Sequence, residues 1–280
     1  MNTNLDRYTT IKLGGNGNLA ICKSIEGLKS LIKILNKNDI KYHLVGWGAN
    51  QVLVHTNMYL YIKLDFAVDR EYLKEVRDEY DLPASFPLNT LTSHAVKFGL
   101  LGWEVFTGIP ASLGGAICMN AGTSLGEICE IVKEVTVLRP GGDIYSYKQE
   151  ELKFDYRVNN FLKLGEIIIS AKIIHKGIDT TQGARIKEYL EYRKSTQPLK
   201  TKNCGSVFKN HGHFKAGITI DKCGLKGFGT ENIQVSHMHG NFIENNGAGS
   251  STEFIQVVDN LKKEIERYSG QKFELEVKIH

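Results

Sequence analysis

The stretch GIPASLGGAICMNAG, residues 108–122, decides how the chain is read. It sets Gly108, Gly114, Gly115 and Gly122 among alanines and a serine and carries no charged side chain. Backbone this small lets a large flat group or a phosphate approach closely, or else forms a buried loop between tightly packed elements. Composition favours neither. Upstream, HLVGWGANQVLV (43–54) repeats the theme. Leu44 and Val45 run into Gly46, Trp47, Gly48, Ala49 and Asn50, and Val52, Leu53 and Val54 follow. Strand, tight turn, strand is predicted there, as a ligand cradle or as a hairpin corner plugged by the indole.

Around these tracts the pattern alternates between helix and strand. Ser24 is placed to cap an amphipathic helix in which Leu28, Leu31, Ile32 and Leu35 recur at helical spacing. Strands are predicted at 40–44 and 59–64, and a helix from Leu88 to Phe98 stopping at Gly99. Residues 132–138 and 144–147 alternate like a hairpin about Pro140-Gly141-Gly142, and 167–174 reads as a further strand. A polar linker and helix span 177–193. A last helix, 252–268, aligns Phe254, Val257, Val258, Leu261 and Ile265 before a closing strand, FELEVKIH.

The 280 residues suffice for one large or two to three small domains. A balance of 35 basic against 31 acidic residues, with no continuous basic stripe, argues against a nucleic-acid partner. No apolar run approaches the length of a membrane span, and MNTNLDRYTT lacks the apolar core of a signal peptide. The five cysteines form no CxxC pair, which argues against zinc and for a reducing compartment. A cytoplasmic protein is expected, with no metal.

Four segments place polar groups where a core would not want them. FDYRVNNF puts Tyr156 and Arg157 between aromatics, where a surface arginine shielding Phe154 and Phe161 is the plain alternative. NCGSVFKN carries Ser206, outside any GxSxG frame, with a turn serine as the default. QVSHMHGNF sets His237 and His239 two apart without a matching third metal ligand. Glu276 alternates with Glu274 and Lys278 in the last strand, as an exposed face would.

Taken in order, TTIKLGG, VGWGANQVLV, GLLGWEVFTGIPASLGGAICMNAG, FDYRVNNF, CGSVFKN, AGITIDKCGLKGF, VSHMHGNF and LEVK resemble the UDP-N-acetylenolpyruvoylglucosamine reductase (MurB) family over nearly the whole chain. The resemblance implies an α+β fold: a two-part FAD-binding region of the PCMH/MurB type, then a smaller α+β substrate-binding domain. It divides the chain into 1–64 and 65–176 for the flavin and 177–280 for the substrate, in the compact type of the family. It implies FAD as cofactor, NADPH as reductant, a nucleotide-sugar substrate, peptidoglycan precursor synthesis as the role, and a monomer.

In residues, the resemblance places the cofactor against Gly46, Trp47, Gly48, Ala49, Asn50, Gly108, Ile109, Pro110, Ser112, Gly114, Gly115, Asn120 and Gly122. Arg157 matches the family's arginine that holds the developing enolate, Ser206 its general acid toward C2, and Glu276 the glutamate that donates to the same enolate. Tyr156, Lys194, Asn210 and His239 fall at substrate-binding positions, and the spacing near Lys194 serves Arg193 equally well. The chain departs from the family at Trp47 and Ala49, where GGGSN is usual, and at Pro83-Ala84-Ser85, where GAG is usual. His211 and Leu275 replace prolines. The alternatives are a diverged flavoprotein with another substrate and a flavin- or nucleotide-binding protein without turnover.

Overall fold

A computed structural model describes residues 2–54, 56–69 and 71–280. Two compact units divide the chain. A central unit takes Ala20–Gly46 and Ile62–Glu191, and a C-terminal unit joins Tyr192–His280 to Met1–Leu19 and Trp47–Tyr61. These divisions fall elsewhere than residues 64 and 176, the boundaries that the resemblance implies.

In the central unit, α1 (Ile25–Lys37) starts where Ser24 Oγ accepts the Gly27 N–H at 3.1 Å, and it buries Leu28, Ile32 and Leu35. A four-stranded sheet is antiparallel throughout, in the order Ile144–Lys148, Val132–Leu138, Ile167–Ile174, Glu79–Pro83. The hairpin expected about Pro140-Gly141-Gly142 pairs Ile144 with Leu138. α2 (Leu88–Phe98) has the expected limits and ends at Gly99, whose φ of +74° allows its N–H to reach the Ala95 carbonyl at 2.8 Å. Leu91, Ala95, Trp103, Phe106, Ile117, Val135 and Val137 form one core with the short α3 (Leu113–Cys118). α4 (Gln182–Thr196) leads out of this unit.

A buried histidine packs beside that core. His94 is buried with Nε2 2.9 Å from the Tyr80 hydroxyl, which itself accepts the Arg77 N–H at 3.0 Å. Burial holds the His94 pKa below the ordinary histidine range, Lys97 and His175 push the same way, and a backbone bond at Leu73 opposes them. An unfolded chain therefore takes up a proton near pH 6.5 that the folded chain refuses, so stability is full above that pH and falls below it. His43 and His239, also lowered by burial, add to the same slope. The melting temperature is expected to drop between pH 7.5 and 5.5, by less in His94→Gln than in the parent.

The C-terminal unit is built on an antiparallel sheet in the order Asn203–Ser206, Phe242–Asn245, Ile233–Val235. α5 (Ala216–Lys222) and α6 (Ser251–Ser269) flank it in one core with Val207, Phe208, Ile233, Ile243, Phe254, Val258, Leu261 and Ile265. The expected closing strand pairs regularly only at Lys278–Ile279, parallel to Gln51–Val52. Its earlier part makes a single bridge, Leu275 opposite Phe208. Among the described residues no helix is long and apolar enough to cross a membrane, and no group of three or more His, Cys, Asp or Glu side chains could hold a metal ion.

Candidate active site

GWGAN is not a hairpin corner. The strand before it, Tyr42–Val45, lies beside Thr56–Leu64, whereas Gln51–Val52 after it pairs with the C-terminal strand. Gly46 belongs to the central unit, and Trp47, Gly48, Ala49 and Asn50 belong to the C-terminal one.

In the central unit Gly46 faces Ser112. A Cβ on Gly46 would stand 3.0 Å from Ser112 Oγ, and one on Gly115 would stand 3.2 Å from the same atom. A Cβ on Gly114 would meet that of Ala84 at 2.6 Å, so the glycine lets α3 seat against residues 84–86. The Gly114 N–H donates to the Ala84 carbonyl and the Leu113 N–H to that of Phe86, both at 2.8 Å. Gly108, at φ +71°, turns the chain before Ile109 and Pro110. The half-buried Lys63 donates from Nζ to the Gly46 carbonyl at 2.9 Å. Burial holds its pKa below the usual lysine range, while Asp65 opposes this. A narrow small-residue cradle with a cation behind its turn fits the diphosphate of a dinucleotide. In Pro83-Ala84-Ser85, the Ser85 hydroxyl accepts the Phe66 N–H at 3.1 Å and donates to the Phe66 carbonyl at 3.3 Å, so this departure from the family serves the fold.

Arg157 occupies the tip of a hairpin whose strands Phe154–Asp155 and Val158–Asn159 leave only Tyr156 and Arg157 as the turn. Its φ of +59° lies in the left-handed region, whereas that of Tyr156 before it does not. The side chain, 14% exposed, donates to the Asn120 carbonyl and Glu127 Oε1 at 3.2 Å each and to the Gly122 carbonyl at 3.0 Å. It lies over the Tyr156 ring at 4.9 Å. Phe154 and Phe161 pack on each other, with ring centroids 5.1 Å apart. Asn120 is fully buried at φ +46°, and its amide donates to Glu127 Oε2 at 2.8 Å and to the Asp155 carbonyl at 3.0 Å. Glu127 carries no motif signal of its own in the sequence.

The C-terminal unit gathers the other expected residues. Gly48, at φ +64°, presses on the Tyr8–Thr9 backbone where any Cβ would collide, and its carbonyl accepts the Thr10 N–H at 3.2 Å. The Asn50 amide donates to the Glu276 carbonyl, and the Lys278 N–H donates to the Asn50 carbonyl, both at 3.0 Å. The Glu276 N–H donates to the Val207 carbonyl at 2.8 Å, next to Ser206. A Cβ on Gly205 would lie 3.7 Å from the Ala49 carbonyl. Ser206, Glu276, Ala49 and Asn50 are thus brought together. Glu276 is half-buried while Glu274 is 81% exposed along its side chain, so the alternation of a solvent face does not hold at 276. Trp47 is 38% exposed.

Asn241, 4% exposed, clamps the segment after Ser206. Its Oδ1 accepts the Phe208 N–H at 2.9 Å, its amide donates to the Phe208 carbonyl at 2.8 Å, and its own carbonyl accepts the Val207 N–H at 2.9 Å. Burial pushes the neighbouring Cys204 thiol up to about 12, and Glu276 adds to the shift, so no thiolate competes here.

Asn210 Oδ1 accepts the Ala216 N–H at 3.0 Å, at the start of α5. His239 Nδ1 accepts the Asn241 N–H at 3.2 Å, which assigns the ring proton to Nε2. Its pKa is lowered by burial and further by the positive charges of Lys226 and Arg193. Lys194 is exposed, whereas Arg193 is half-buried and grips Gln197 Oε1 from Nη2 at 2.7 Å.

An FAD binding domain model matches residues 18–147, which contain the Gly46–Ser112 cradle. The chain is a flavoprotein, and with residues 197–280 matching the C-terminal domain of UDP-N-acetylenolpyruvoylglucosamine reductase its class is flavin-dependent oxidoreductase. Reductases of that name from Halalkalibacterium halodurans (32% identical, covering 100% of this chain and 93% of the relative) and Syntrophus aciditrophicus (33%, covering 98% and 89%) align end to end. The crystal structure of the Thermus caldophilus reductase superimposes with a TM-score of 0.84 at 30% identity, over 100% of this chain and 98% of that one. The chain belongs to the UDP-N-acetylenolpyruvoylglucosamine reductase (MurB) family, and its α+β fold is that family's.

Proposed function

We propose that this chain reduces the enolpyruvyl group of UDP-N-acetylglucosamine enolpyruvate to give UDP-N-acetylmuramate, with FAD as cofactor and NADPH as reductant. The observation that carries the reading is the pairing of Ser206 with Glu276, fixed through the Glu276 N–H on the Val207 carbonyl at 2.8 Å. FAD, when bound, supplies the hydride that NADPH delivers and that adds at C3 of the substrate.

The chain's own residues handle the charge and the proton. Arg157 holds the anion that develops on the substrate carboxylate as C3 is reduced, through charge-assisted hydrogen bonds. Glu276, when protonated, donates its O–H to the same enolate. Ser206 Oγ gives its proton to C2, and water returns one to the resulting alkoxide. A hydroxyl is a weak acid, adequate here because the carbanion is strongly basic. Gly46, Gly108, Ile109, Pro110, Ser112, Gly114, Gly115 and Gly122 carry the cofactor through backbone, with Asn120 acting by shaping its loop. Trp47, Gly48, Ala49 and Asn50 complete the turn. Tyr156, Asn210 and His239 meet the nucleotide sugar, with Lys194 or Arg193 at its phosphates; Arg193 is favoured by its field at His239. The protein works as a cytoplasmic monomer without nucleic acid.

Purified protein should be yellow and should oxidise NADPH only when the enolpyruvyl nucleotide is present. Colourless protein that FAD does not reconstitute would refute the proposal. Flavin reduction with turnover of a different enol ether would instead assign a diverged substrate.

A further inference from the structure

We propose that Glu127 is a positioning residue for Arg157, a role that rests on the function proposed above. Its carboxylate joins two elements that share little sequence proximity. Oε1 takes Arg157 Nη1 at 3.2 Å, and Oε2 takes the Asn120 amide at 2.8 Å. Glu127 stands directly opposite Gly122 in the Gly122–Thr123/Gly126–Glu127 hairpin, and the Gly122 carbonyl takes Arg157 Nη2 at 3.0 Å. A side chain at 122 would collide with residues 126 and 127, the Gly126 carbonyl lying 2.6 Å from its Cβ, so the glycine allows the two strands to grip one guanidinium together.

The backbone shows why a clamp is needed. Arg157 and Asn120 both sit in the left-handed region, at φ +59° and +46°, a strained conformation for a residue other than glycine. Such a conformation persists when its surroundings over-determine it. Asn120 is tied at both ends of its amide, with Oδ1 accepting the Cys129 N–H at 3.2 Å and Nδ2 serving Glu127 and the Asp155 carbonyl. Glu127 is itself held, its N–H donating to Glu130 Oε1 at 2.8 Å. The guanidinium is thereby aimed by the protein before substrate arrives, which is how a charged donor contributes most to an anionic transition state.

Glu127→Gln leaves one acceptor oxygen where two are needed, so either Arg157 or Asn120 loses its partner. We expect kcat to fall at least tenfold while flavin content and reduction of flavin by NADPH persist. In an Arg157→Ala background the same substitution should change turnover less than twofold, because a residue acting through Arg157 has nothing left to act on. Equal losses in both backgrounds would overturn the proposal. A second readout needs no turnover: modification of Arg157 by phenylglyoxal, followed by peptide mass spectrometry, should be severalfold faster in the Gln variant. An unchanged rate overturns the clamp, whereas absent wild-type turnover with accelerated modification sinks only the proposed reaction. If the Gln variant does not retain flavin, Glu127→Asp serves in its place, with the same faster modification expected because its carboxylate falls one methylene short.

Discussion

Ser206→Ala is expected to lower turnover by about 10²–10⁴-fold, the usual contribution of a positioned general acid, while NADPH still reduces the flavin. The hydroxyl is the group proposed to protonate C2. Structural damage should be slight. Residue 206 ends a strand paired with Phe242, and the adjoining Val207 and Phe208 are held through Asn241 by bonds that do not involve the serine side chain. Stopped-flow separation of the two half-reactions checks the prediction: rapid bleaching by NADPH followed by very slow reoxidation by the enolpyruvyl nucleotide. An unchanged second phase would remove Ser206 from the mechanism, whereas no reoxidation by the enolpyruvyl nucleotide in the parent protein would favour a binding protein without this chemistry.

Arg157→Ala is expected to lower kcat by about 10²–10³-fold, the cost of losing one preorganised donor to a developing oxyanion. Lysine should rescue little of this, because the three acceptors that fix Arg157 are spaced for a planar fork and not for a single ammonium. The change is also structural to a degree. It leaves Glu127 without its cation and places alanine at a φ of +59°. Flavin content and melting temperature therefore need to be measured alongside turnover. A variant that keeps its flavin and its half-reaction with NADPH, but loses substrate reduction, assigns the arginine to the substrate; full activity would refute that role.

Helices were the most legible part of the chain. Ser24, Gly99 and the apolar spacing of residues 254–265 mark their helices because caps and a 3.6-residue period are local properties. The closing strand was less so. FELEVKIH alternates like a strand, yet regular pairing is confined to Lys278–Ile279, because pairing depends on a partner more than 200 residues away in sequence. Glu276 shows the same limit. Its neighbours alternate as an exposed face, and only the bonds to Val207 and Asn50 withdraw it from solvent.

The site divides along the same line. Gly46, Ser112, Gly114 and Gly115 could be singled out from sequence because close backbone approach demands small residues and leaves a compositional trace. Glu127, Lys63 and Asn241 could not, since a carboxylate, an ammonium and an amide look alike in sequence whether solvated or clamped. By itself the sequence determined the four longer helices, the small-residue tracts and, through the order of its blocks, the family, but not the short α3 and α5. Only the tertiary structure decided that GWGAN is not a hairpin and which side chains hold Arg157. Those are long-range choices of hydrogen-bond partner, and no local pattern encodes them.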